Sequence, residues 1–491
     1  MQGFDQRLDD IIFRYHLDVF YPGYRKMRQA EKYLNVWMKK CCQLVAAGEK
    51  ILCVALNDTD IERFRFYTSQ AELFQYYLYQ GMEDSDLKNR AGAYKEIYII
   101  SYDEQEEIAK YLTAHELAFG NIYDDFAANG IEFRNVFYLF LDKKDEELNG
   151  FDNWYCGDNS FFLENYYLAK KKKEMDHPEF LKRMIFLSLA FKDFMIWKKY
   201  QLEILGCLDK DEKQIYSQAG QEIEELLEHM KTVLQQRNKK DILMVWLDAL
   251  NYGLEKDMPF LNGEVENGIL FENAFTVIPN TMPTFRVCFT DQKEAGVSLH
   301  SHELINAKEC SLCERFKEKG YAFKVFSGYL SDVLDAEWYF GEYLDQWAPV
   351  SLLLWNAVCC LTESESPVFM MVHELPYTHA PYYTTYQNVD LLSLSYQQMK
   401  DREHYARREA DEQLNFYMSL FGRDVTKIYM SDHGNGQPWE RLHTFFMIKS
   451  PVLPKGVVSE MFSYSAFDKV VSQLLEGQWD PAEFTADFVC V

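Results

Sequence analysis

The chain has 491 residues, of which 48% are hydrophobic and 16% aromatic, and its formal net charge is −26. This length and apolar content suffice for two or three domains with well-filled cores, and they exclude a disordered chain. The excess of acidic over basic residues predicts no nucleic-acid partner, because binding to phosphates requires clustered Lys and Arg.

The N-terminus and the cysteines predict the cellular compartment. MQGFDQRLDDIIFRYH has acidic residues where a signal peptide requires basic ones. The longest apolar run, APVSLLLWNAVCCL, is shorter than the roughly 20 residues that span a bilayer. The 11 cysteines are an odd number, which favours reduced thiols over a disulfide framework. We therefore expect a cytoplasmic protein without a transmembrane segment.

Residues 1–145 predict a helical start followed by a small Rossmann-like α/β domain. Apolar spacing in AEKYLNVWMKKCCQLVAAG indicates a helix, and EKILCVAL, KEIYIISY and NVFYLFLD indicate three strands. The turn ALNDTD after the first strand lacks the glycines that let a pyrophosphate approach the backbone, and Asp58 and Asp60 repel phosphate. We expect this domain to bind no nucleotide and to act as a scaffold or a docking module for a protein.

Residues 146–240 show helical patterns without a strand pattern, and we interpret them as a helical connector. The segment IYSQAGQEIEELLEHMKTVLQQRNKK ends in cations, as the C-terminus of a helix prefers. Its apolar positions form one stripe at helical spacing, made of Ile215, Ala219, Ile223, Leu226, Met230 and Val233.

From residue 241, three segments place metal-ligand side chains at strand ends or at a helix start. ILMVWLD predicts a central parallel strand with Asp248 at its carboxyl end, the edge at which α/β sheets bind ligands. Thr281 lies between two prolines that lead into the helix TFRVCFTD. TKIYMSDHG predicts a further strand that ends in Asp432 and His433. Taken singly, Asp248 is better explained as a turn cap and Thr281 as a helix N-cap.

Taken together, these oxygen and imidazole groups are suited to a divalent cation such as Zn²⁺ or Mn²⁺. A metal in contact with the Thr281 oxygen lowers the pKa of that hydroxyl and offsets charge on a transferring phosphoryl group. His443, in ERLHTFFMIKSP, adds an imidazole just before a further strand. Cys310 and Cys313 have no second cysteine pair nearby, so we expect them to pack in the core without binding zinc.

In this order, the segments resemble the alkaline phosphatase superfamily, in particular its sulfatase-like branch with the lipoteichoic-acid synthases and phosphoethanolamine transferases. VWLDALNYG is similar to the first metal motif of that branch, and GILFENAFTVIPNTMPT to its nucleophile segment. FKEKGYAFKVF is similar to a unit of that branch in which a long helix, a Gly-Tyr pair and a strand follow one another. THAPY is similar to its histidine loop on the substrate side, and SDHG is similar to its last pair of metal ligands. The resemblance implies that residues 241–491 form a catalytic α/β domain with helices on both faces of a mostly parallel sheet.

The resemblance also implies a role for each matching residue. It makes four residues the ligands of one metal ion, namely Asp248, Thr281, Asp432 and His433. Thr281 is then also the catalytic nucleophile. His379 and His443 contact the substrate phosphate or a second metal, and His373 has a structural role.

Departures from the family pattern narrow the expected chemistry. Thr281 stands where sulfatases mature a cysteine, and Phe285 stands where they have arginine, so we do not expect sulfate-ester hydrolysis. Two-metal relatives have an acid where this chain has Tyr377, which weakens the case for a second metal site.

We therefore expect a metal-dependent transferase that moves a phosphoethanolamine- or phosphoglycerol-type group through a covalent threonine intermediate. Its substrate is a phosphorylated small molecule, lipid or glycan, in the biosynthesis of a cell-surface glycan or a lipid-linked intermediate. The alternatives are a hydrolase of the phosphodiesterase or phosphatase type and a sulfatase-like binding protein without catalytic activity.

Overall fold

The structure is a computed structural model that describes most of the chain. The described residues are 3–21, 23–58, 60–61, 64, 74–101, 105–128, 175–237, 240–290, 310–327, 349–374, 395–422, 425–435 and 439–486. The predicted strand NVFYLFLD lies outside the described residues, and so does the THAPY loop with His379 and Tyr377. Among the described helices, none combines the length and the apolar character needed to cross a bilayer.

The N-terminal α/β part is a parallel sheet of four strands in the order β2-β1-β3-β4. The strands are β1 (Ile51–Ala55), β2 (Gln75–Leu78), β3 (Glu96–Ile99) and β4 (Gly120–Asn121). The helices are α1 (Phe4–Arg14), α2 (Gly23–Ala46), α3 (Ser85–Ala91), α4 (Gln105–Ala114) and α5 (Ile122–Ala128). Every residue of β1 is buried, because α2 packs on one face of the sheet and α3 and α4 on the other.

Three helices follow, namely α6 (His177–Ala190), α7 (Phe194–Ile204) and α8 (Lys210–Gln236). The Asp209 carboxylate caps α8 by accepting hydrogen bonds from two backbone N–H groups of its first turn. Most of the predicted α8 stripe is buried, but Ile215 is 41% exposed and Tyr216 takes the inward position. Together with α1, these helices belong to the apolar core on one face of the large sheet.

The large sheet has seven strands in the order β12-β6-β11-β10-β5-β9-β8. They are β5 (Ile242–Leu247), β6 (Ile269–Phe271), β8 (Ala322–Phe326), β9 (Val368–Glu374), β10 (Thr426–Met430), β11 (Phe446–Lys449) and β12 (Gly456–Val458). Only β11 runs antiparallel to its neighbours in this sheet. A small second sheet pairs β7 (Ala274–Phe275), β13 (Met461–Ser463) and β14 (Thr485–Ala486).

Helices cover both faces of the large sheet, as the sequence predicts. They are α9 (Pro259–Val265), α10 (Thr281–Phe289), α11 (Ser311–Glu318), α12 (Val350–Glu363), α13 (Tyr396–Met418) and α14 (Phe467–Glu476), and short 3-10 segments cover Leu254–Asp257, Tyr464–Ala466 and Pro481–Glu483. Alternate residues of β5 face opposite cores: Val245 belongs to the core that contains residues of α6, α8, α12 and α13, whereas Trp246 belongs to the core that contains residues of α10 and α11. The mostly parallel α/β architecture predicted for this region is confirmed.

The register of the three central strands brings their carboxyl ends to one edge of the sheet. Trp246 of β5 pairs with His373 of β9 on one side and with Met430 of β10 on the other. The residues that follow β5 and β10 therefore emerge next to each other, at the edge where open α/β sheets place ligands.

An ion pair between a half-buried arginine and a buried aspartate fixes the opposite, amino-terminal edge of the same strands. Arg237 donates from Nε to Asp241 Oδ2 (2.6 Å) and from Nη2 to Asp241 Oδ1 (2.9 Å). Asp241 also accepts the backbone N–H of Val368, the first residue of β9 (2.8 Å), and is 3% exposed. This carboxylate thereby joins the starts of two adjacent strands.

We expect Arg237→Met to destabilise the protein by about 3–5 kcal/mol, because it leaves the Asp241 carboxylate buried without its cation. The control is Arg14→Met, which breaks the exposed pair with Glu222 and should cost about 0–1 kcal/mol. Urea unfolding measures both values. Equal losses in the two variants would contradict a special role for Arg237.

Candidate metal centre

Four buried side chains meet at the carboxyl edge of the large sheet. Asp248 directly follows β5, and Asp432 and His433 follow β10 after one intervening serine. Thr281 is the first residue of α10, three residues earlier than the predicted helix segment TFRVCFTD. Asp248 and Asp432 are each 0% exposed, and Thr281 and His433 are each 4% exposed. The structure therefore brings together all four predicted ligands.

The turn after β5 ties the two acidic loops together. Ala249 has a left-handed backbone (φ 59°), which costs a non-glycine residue about 1–2 kcal/mol. In this conformation its N–H donates to Asp432 Oδ1 (3.1 Å), and the next N–H, from Leu250, donates to Ser431 Oγ (2.8 Å). The strained turn thus fixes the position of Asp432 relative to Asp248.

A second contact between these loops involves Asn251 and Gly434. The Asn251 side chain donates to the carbonyls of Asn435 (3.0 Å) and Glu440 (2.8 Å), and its Oδ1 accepts the N–H of Asn435 (2.7 Å). A Cβ atom at Gly434 would collide with the Asn251 amide and the Glu440 carbonyl. Glycine is therefore required directly after His433, where the loop must approach the β5 turn closely.

The Asp248 carboxylate is the centre of the cluster. Its Oδ2 atom accepts the Thr281 hydroxyl (3.0 Å) and lies 3.0 Å from His373 Nε2. Its Oδ1 atom lies 3.7 Å from His433 Nε2. The same His433 nitrogen lies 3.5 Å from Asp432 Oδ2. Oxygens of Asp248 and Asp432 thus lie near the same His433 nitrogen, and Thr281 is hydrogen-bonded to the other oxygen of Asp248.

The hydrogen bonding of His433 assigns its tautomer. Its Nδ1 atom lies 3.0 Å from the Gly434 carbonyl, which can only accept, so Nδ1 carries the hydrogen and Nε2 faces the two carboxylates. A metal-ligating histidine typically donates its other N–H to a carbonyl in this way. Burial lowers the pKa of His433, but Asp432 and Asp248 raise it by more, and the net shift is upward. The cluster therefore attracts positive charge.

A divalent cation fits this donor set. Donors at about 2.0–2.1 Å from a tetrahedral cation are separated by about 3.3–3.4 Å, close to the 3.5 and 3.7 Å that separate His433 Nε2 from the two carboxylates. Asp432 Oδ2 is buried and accepts no hydrogen bond from any residue that the structure describes. Burying such an oxygen is costly unless a cation faces it.

His373 also belongs to this site, although the sequence predicts only a structural role for it. Single polar atoms of Asp248, His373 and Asp432 all lie within 4.8 Å of one another. His433 Nε2 nevertheless lies near oxygens of both carboxylates, at 3.5 Å from Asp432 Oδ2 and 3.7 Å from Asp248 Oδ1, whereas His373 Nε2 lies 3.0 Å from Asp248 Oδ2. His373 occurs near the end of the apolar run VFMMVHE. Asp248 likewise follows an apolar run, so the same sequence pattern could have identified His373 as a residue at the carboxyl edge of the sheet.

The structure gives His443 no described contact with the four-residue cluster. Its Nε2 donates to the Glu272 carbonyl (2.7 Å), and its ring is stacked between Tyr252 (4.7 Å) and Phe275 (5.0 Å). Its substrate role stays a prediction, and His379 lies outside the described residues. Phe285, at the position where the sulfatase pattern has arginine, is buried and stacks on Trp246.

The cysteine pair has the packing role that the sequence predicts. Cys310 and Cys313 are both buried, and Cys310 Sγ caps α11 by accepting the N–H of Cys313 (3.2 Å). The Cys310 thiol also donates to the Phe289 carbonyl at the end of α10. These contacts link α10 and α11.

Comparison with known proteins finds structural similarity alone. No protein-family model matches the chain, and no curated protein matches its sequence. The lipoteichoic acid synthase LtaP from Listeria monocytogenes is 14% identical, over 54% of this chain and 80% of LtaP, with a TM-score of 0.40. The C-terminal periplasmic domain of EcEptC from Escherichia coli is 15% identical, over 52% of this chain and 89% of that domain, with a TM-score of 0.36.

A third similar structure is a protein in the alkaline phosphatase superfamily from Vibrio parahaemolyticus. It is 12% identical, over 50% of this chain and 74% of that protein, with a TM-score of 0.34. The similar structures thus include a member of the superfamily that the sequence motifs resemble.

We expect Asp432→Asn to abolish stabilisation by metal without destabilising the metal-free protein. In the metal-free state, the substitution removes one of two buried carboxylates that repel each other. In wild type, Zn²⁺ or Mn²⁺ at 100 times its Kd should add about 2.7 kcal/mol to the free energy of unfolding. Chemical unfolding with a chelator and then with metal measures both effects.

The matched control is Asp411→Asn, at another buried carboxylate that caps α9 by accepting the N–H groups of Phe260 (2.8 Å) and Leu261 (2.9 Å). This variant should lose about 1 kcal/mol with or without metal, and its gain from metal should persist. A full metal-dependent gain in Asp432→Asn would show that the cation binds elsewhere.

Proposed function

We propose that this chain is a metal-dependent phosphotransferase of the alkaline phosphatase type, with Thr281 as its nucleophile. The observation that carries this proposal is the hydrogen bond from the Thr281 hydroxyl to Asp248 Oδ2 (3.0 Å) within a buried anionic cluster. A threonine that serves only as a helix cap would accept a hydrogen bond from its own helix. Thr281 instead donates to a carboxylate that belongs to a donor set for a cation.

The position of Thr281 suits the formation of a phosphoryl intermediate. Thr281 is the first residue of α10, where unsatisfied backbone N–H groups and the helix dipole favour an anionic group. Its hydroxyl proton moves toward Asp248 Oδ2 as the Thr281 oxygen bonds to phosphorus, and the bond from phosphorus to the leaving oxygen breaks. The leaving oxygen takes a proton from solvent. In the second step an acceptor hydroxyl oxygen bonds to phosphorus and gives its proton to solvent, the bond from phosphorus to the Thr281 oxygen breaks, and the proton on Asp248 returns to Thr281.

Asp248, Thr281, Asp432 and His433 would hold the cation. When bound there, it supplies Lewis-acid charge that lowers the pKa of the Thr281 hydroxyl and offsets charge on the phosphoryl group. The donor set combines one imidazole with oxygens, a combination that Zn²⁺ and Mn²⁺ both accept. Ala249 and Asn251 hold the two acidic loops at a fixed separation, so the cluster keeps its shape before the substrate binds.

Within this class, we favour transfer of a phosphoethanolamine- or phosphoglycerol-type group to a lipid or glycan acceptor, because the sequence motifs resemble that branch. The buried Phe285 supports phosphoryl over sulfate esters, since it offers no cation to the substrate. We also propose a cytoplasmic location. Among the cysteines whose side chains the structure describes, none forms a disulfide, as is typical of a reducing compartment. Protein docking by the N-terminal part stays a prediction.

We expect Thr281→Ala to lose at least about 10³-fold in the metal-dependent cleavage of bis-p-nitrophenyl phosphate, because the nucleophilic oxygen is gone. Thr281→Ser, which keeps an oxygen, should retain measurable activity. Thr232→Ala is the control: this exposed hydroxyl on α8 donates only to the Glu228 carbonyl, and its loss should change nothing.

Intact-mass measurement of wild type during turnover should detect a phosphoryl-type adduct on Thr281. Transfer of this adduct to an added alcohol would support the transferase, and release to water alone would favour the hydrolase. If Thr281→Ala keeps its activity and wild type forms no adduct, neither threonine mechanism stands. A binding protein would then be the better account.

A further inference from the structure

A buried chain of hydrogen bonds extends from the metal centre through His373 to Ser327. His373 Nε2 lies 3.0 Å from Asp248 Oδ2, and His373 Nδ1 lies 2.8 Å from Ser327 Oγ. Asp248 and Ser327 are each 0% exposed, and His373 is 2% exposed. The three residues come from neighbouring strands of the sheet, since Ser327 follows β8, His373 lies in β9 and Asp248 follows β5.

When His373 is neutral, the chemistry of the three groups gives this chain one direction. An Asp248 carboxylate can only accept, so His373 Nε2 must carry the hydrogen in that contact. A neutral His373 then has its lone pair on Nδ1, and the Ser327 hydroxyl donates to it. The opposite tautomer would place the Nε2 lone pair 3.0 Å from an anionic oxygen, which is repulsive.

The hydrogen bond from His373 determines which way the Asp248 carboxylate faces. Oδ2 receives two donors, His373 Nε2–H and the Thr281 hydroxyl, each at 3.0 Å. With Oδ2 held between them, Oδ1 points to the side of His433 Nε2, 3.7 Å away. Rotation of the carboxylate would disturb both the nucleophile contact and the cation position.

We propose that Ser327 and His373 are positioning residues of this site: Ser327 fixes the tautomer of His373, and His373 fixes the orientation of Asp248 toward the cation and Thr281. This inference rests on the cation site of the proposed function, but it does not depend on the reaction. Partners of this kind behind a metal ligand typically change metal affinity by 10- to 100-fold when they are removed.

The test is the Zn²⁺ affinity of the full chain, measured by competition with a chromophoric chelator in the absence of substrate. Ser327→Ala should weaken binding about 10-fold or more, and Ser327→Thr, which keeps the hydroxyl, should restore it. Ser188→Ala is the control, because this buried hydroxyl donates only to the Ile185 carbonyl. Wild-type affinity in Ser327→Ala would overturn the proposal.

A second pair of variants separates a positioning role from a merely structural one. His373→Gln keeps an N–H donor near Asp248 and should retain more Zn²⁺ affinity than His373→Leu, which keeps none. Equal affinities in these two variants would contradict the proposal.

Cadmium NMR of protein with ¹⁵N-labelled histidine rings tests direct ligation. In the ¹¹³Cd-loaded protein, one histidine, His433, should show coupling to the metal, and His373 should appear as the uncoupled Nε2–H tautomer. Coupling to a second ring that disappears in His373→Gln would make His373 a ligand and overturn the positioning role. The affinity and NMR results could agree with these expectations while wild type never forms an adduct on Thr281. In that case the positioning role of Ser327 and His373 would be supported, and the proposed transfer reaction through Thr281 would be wrong.

Discussion

The concentration of negative charge on Asp248 and Asp432 is the constraint on which the arrangement of this site depends. Both carboxylates are fully buried, and each has one oxygen within 3.7 Å of the same nitrogen of His433. Burying an ionised carboxylate costs several kcal/mol unless cations or strong donors compensate for it. His433 can contribute at most one positive charge against two carboxylates, whereas a divalent cation balances them completely. The cluster therefore has the electrostatics of a cation site before any reaction is considered.

The fold supplies the geometry that this charge requires. The parallel strands β5 and β10 end at the same edge of the sheet. Asp248, which follows β5, therefore lies close to Asp432 and His433, which follow β10, and no long loop is needed to bring them together. The left-handed Ala249 and the close approach of Gly434 to Asn251 hold the two loops together at some cost in backbone strain. At the opposite edge of the sheet, the Arg237–Asp241 pair fixes the starts of the strands. A rigid sheet thus carries a strained functional edge, which is the usual division of roles in α/β proteins.

The sequence was sufficient to predict where Asp248 and Asp432 lie, because a continuous apolar run followed by an acid, directly or after one serine, identifies the carboxyl end of a buried parallel strand. Asp248 and Asp432 both follow this pattern, and α/β topology then brings such ends together. The sequence does not reveal the contact between His373 and Asp248, because only the register of β9 against β5 brings the His373 ring to Asp248 Oδ2. In the predicted α8 stripe, Val233 is half-buried and Ile215 is exposed, because helical spacing alone does not distinguish Ile215 from the buried Tyr216. Such errors arise from tertiary contacts, which local periodicity does not contain.

X-ray absorption at the zinc edge of the Zn²⁺-loaded protein, with Asp432→Asn as the comparison, tests the central claim most directly. Wild type should bind one equivalent, with a first shell of one imidazole nitrogen and oxygen donors at about 2.0–2.2 Å. The same shell should be absent from the variant at matched metal concentration. A shell that contains sulfur or several imidazoles, or a spectrum that the substitution leaves unchanged, would contradict the assignment of the cation to Asp248, Thr281, Asp432 and His433.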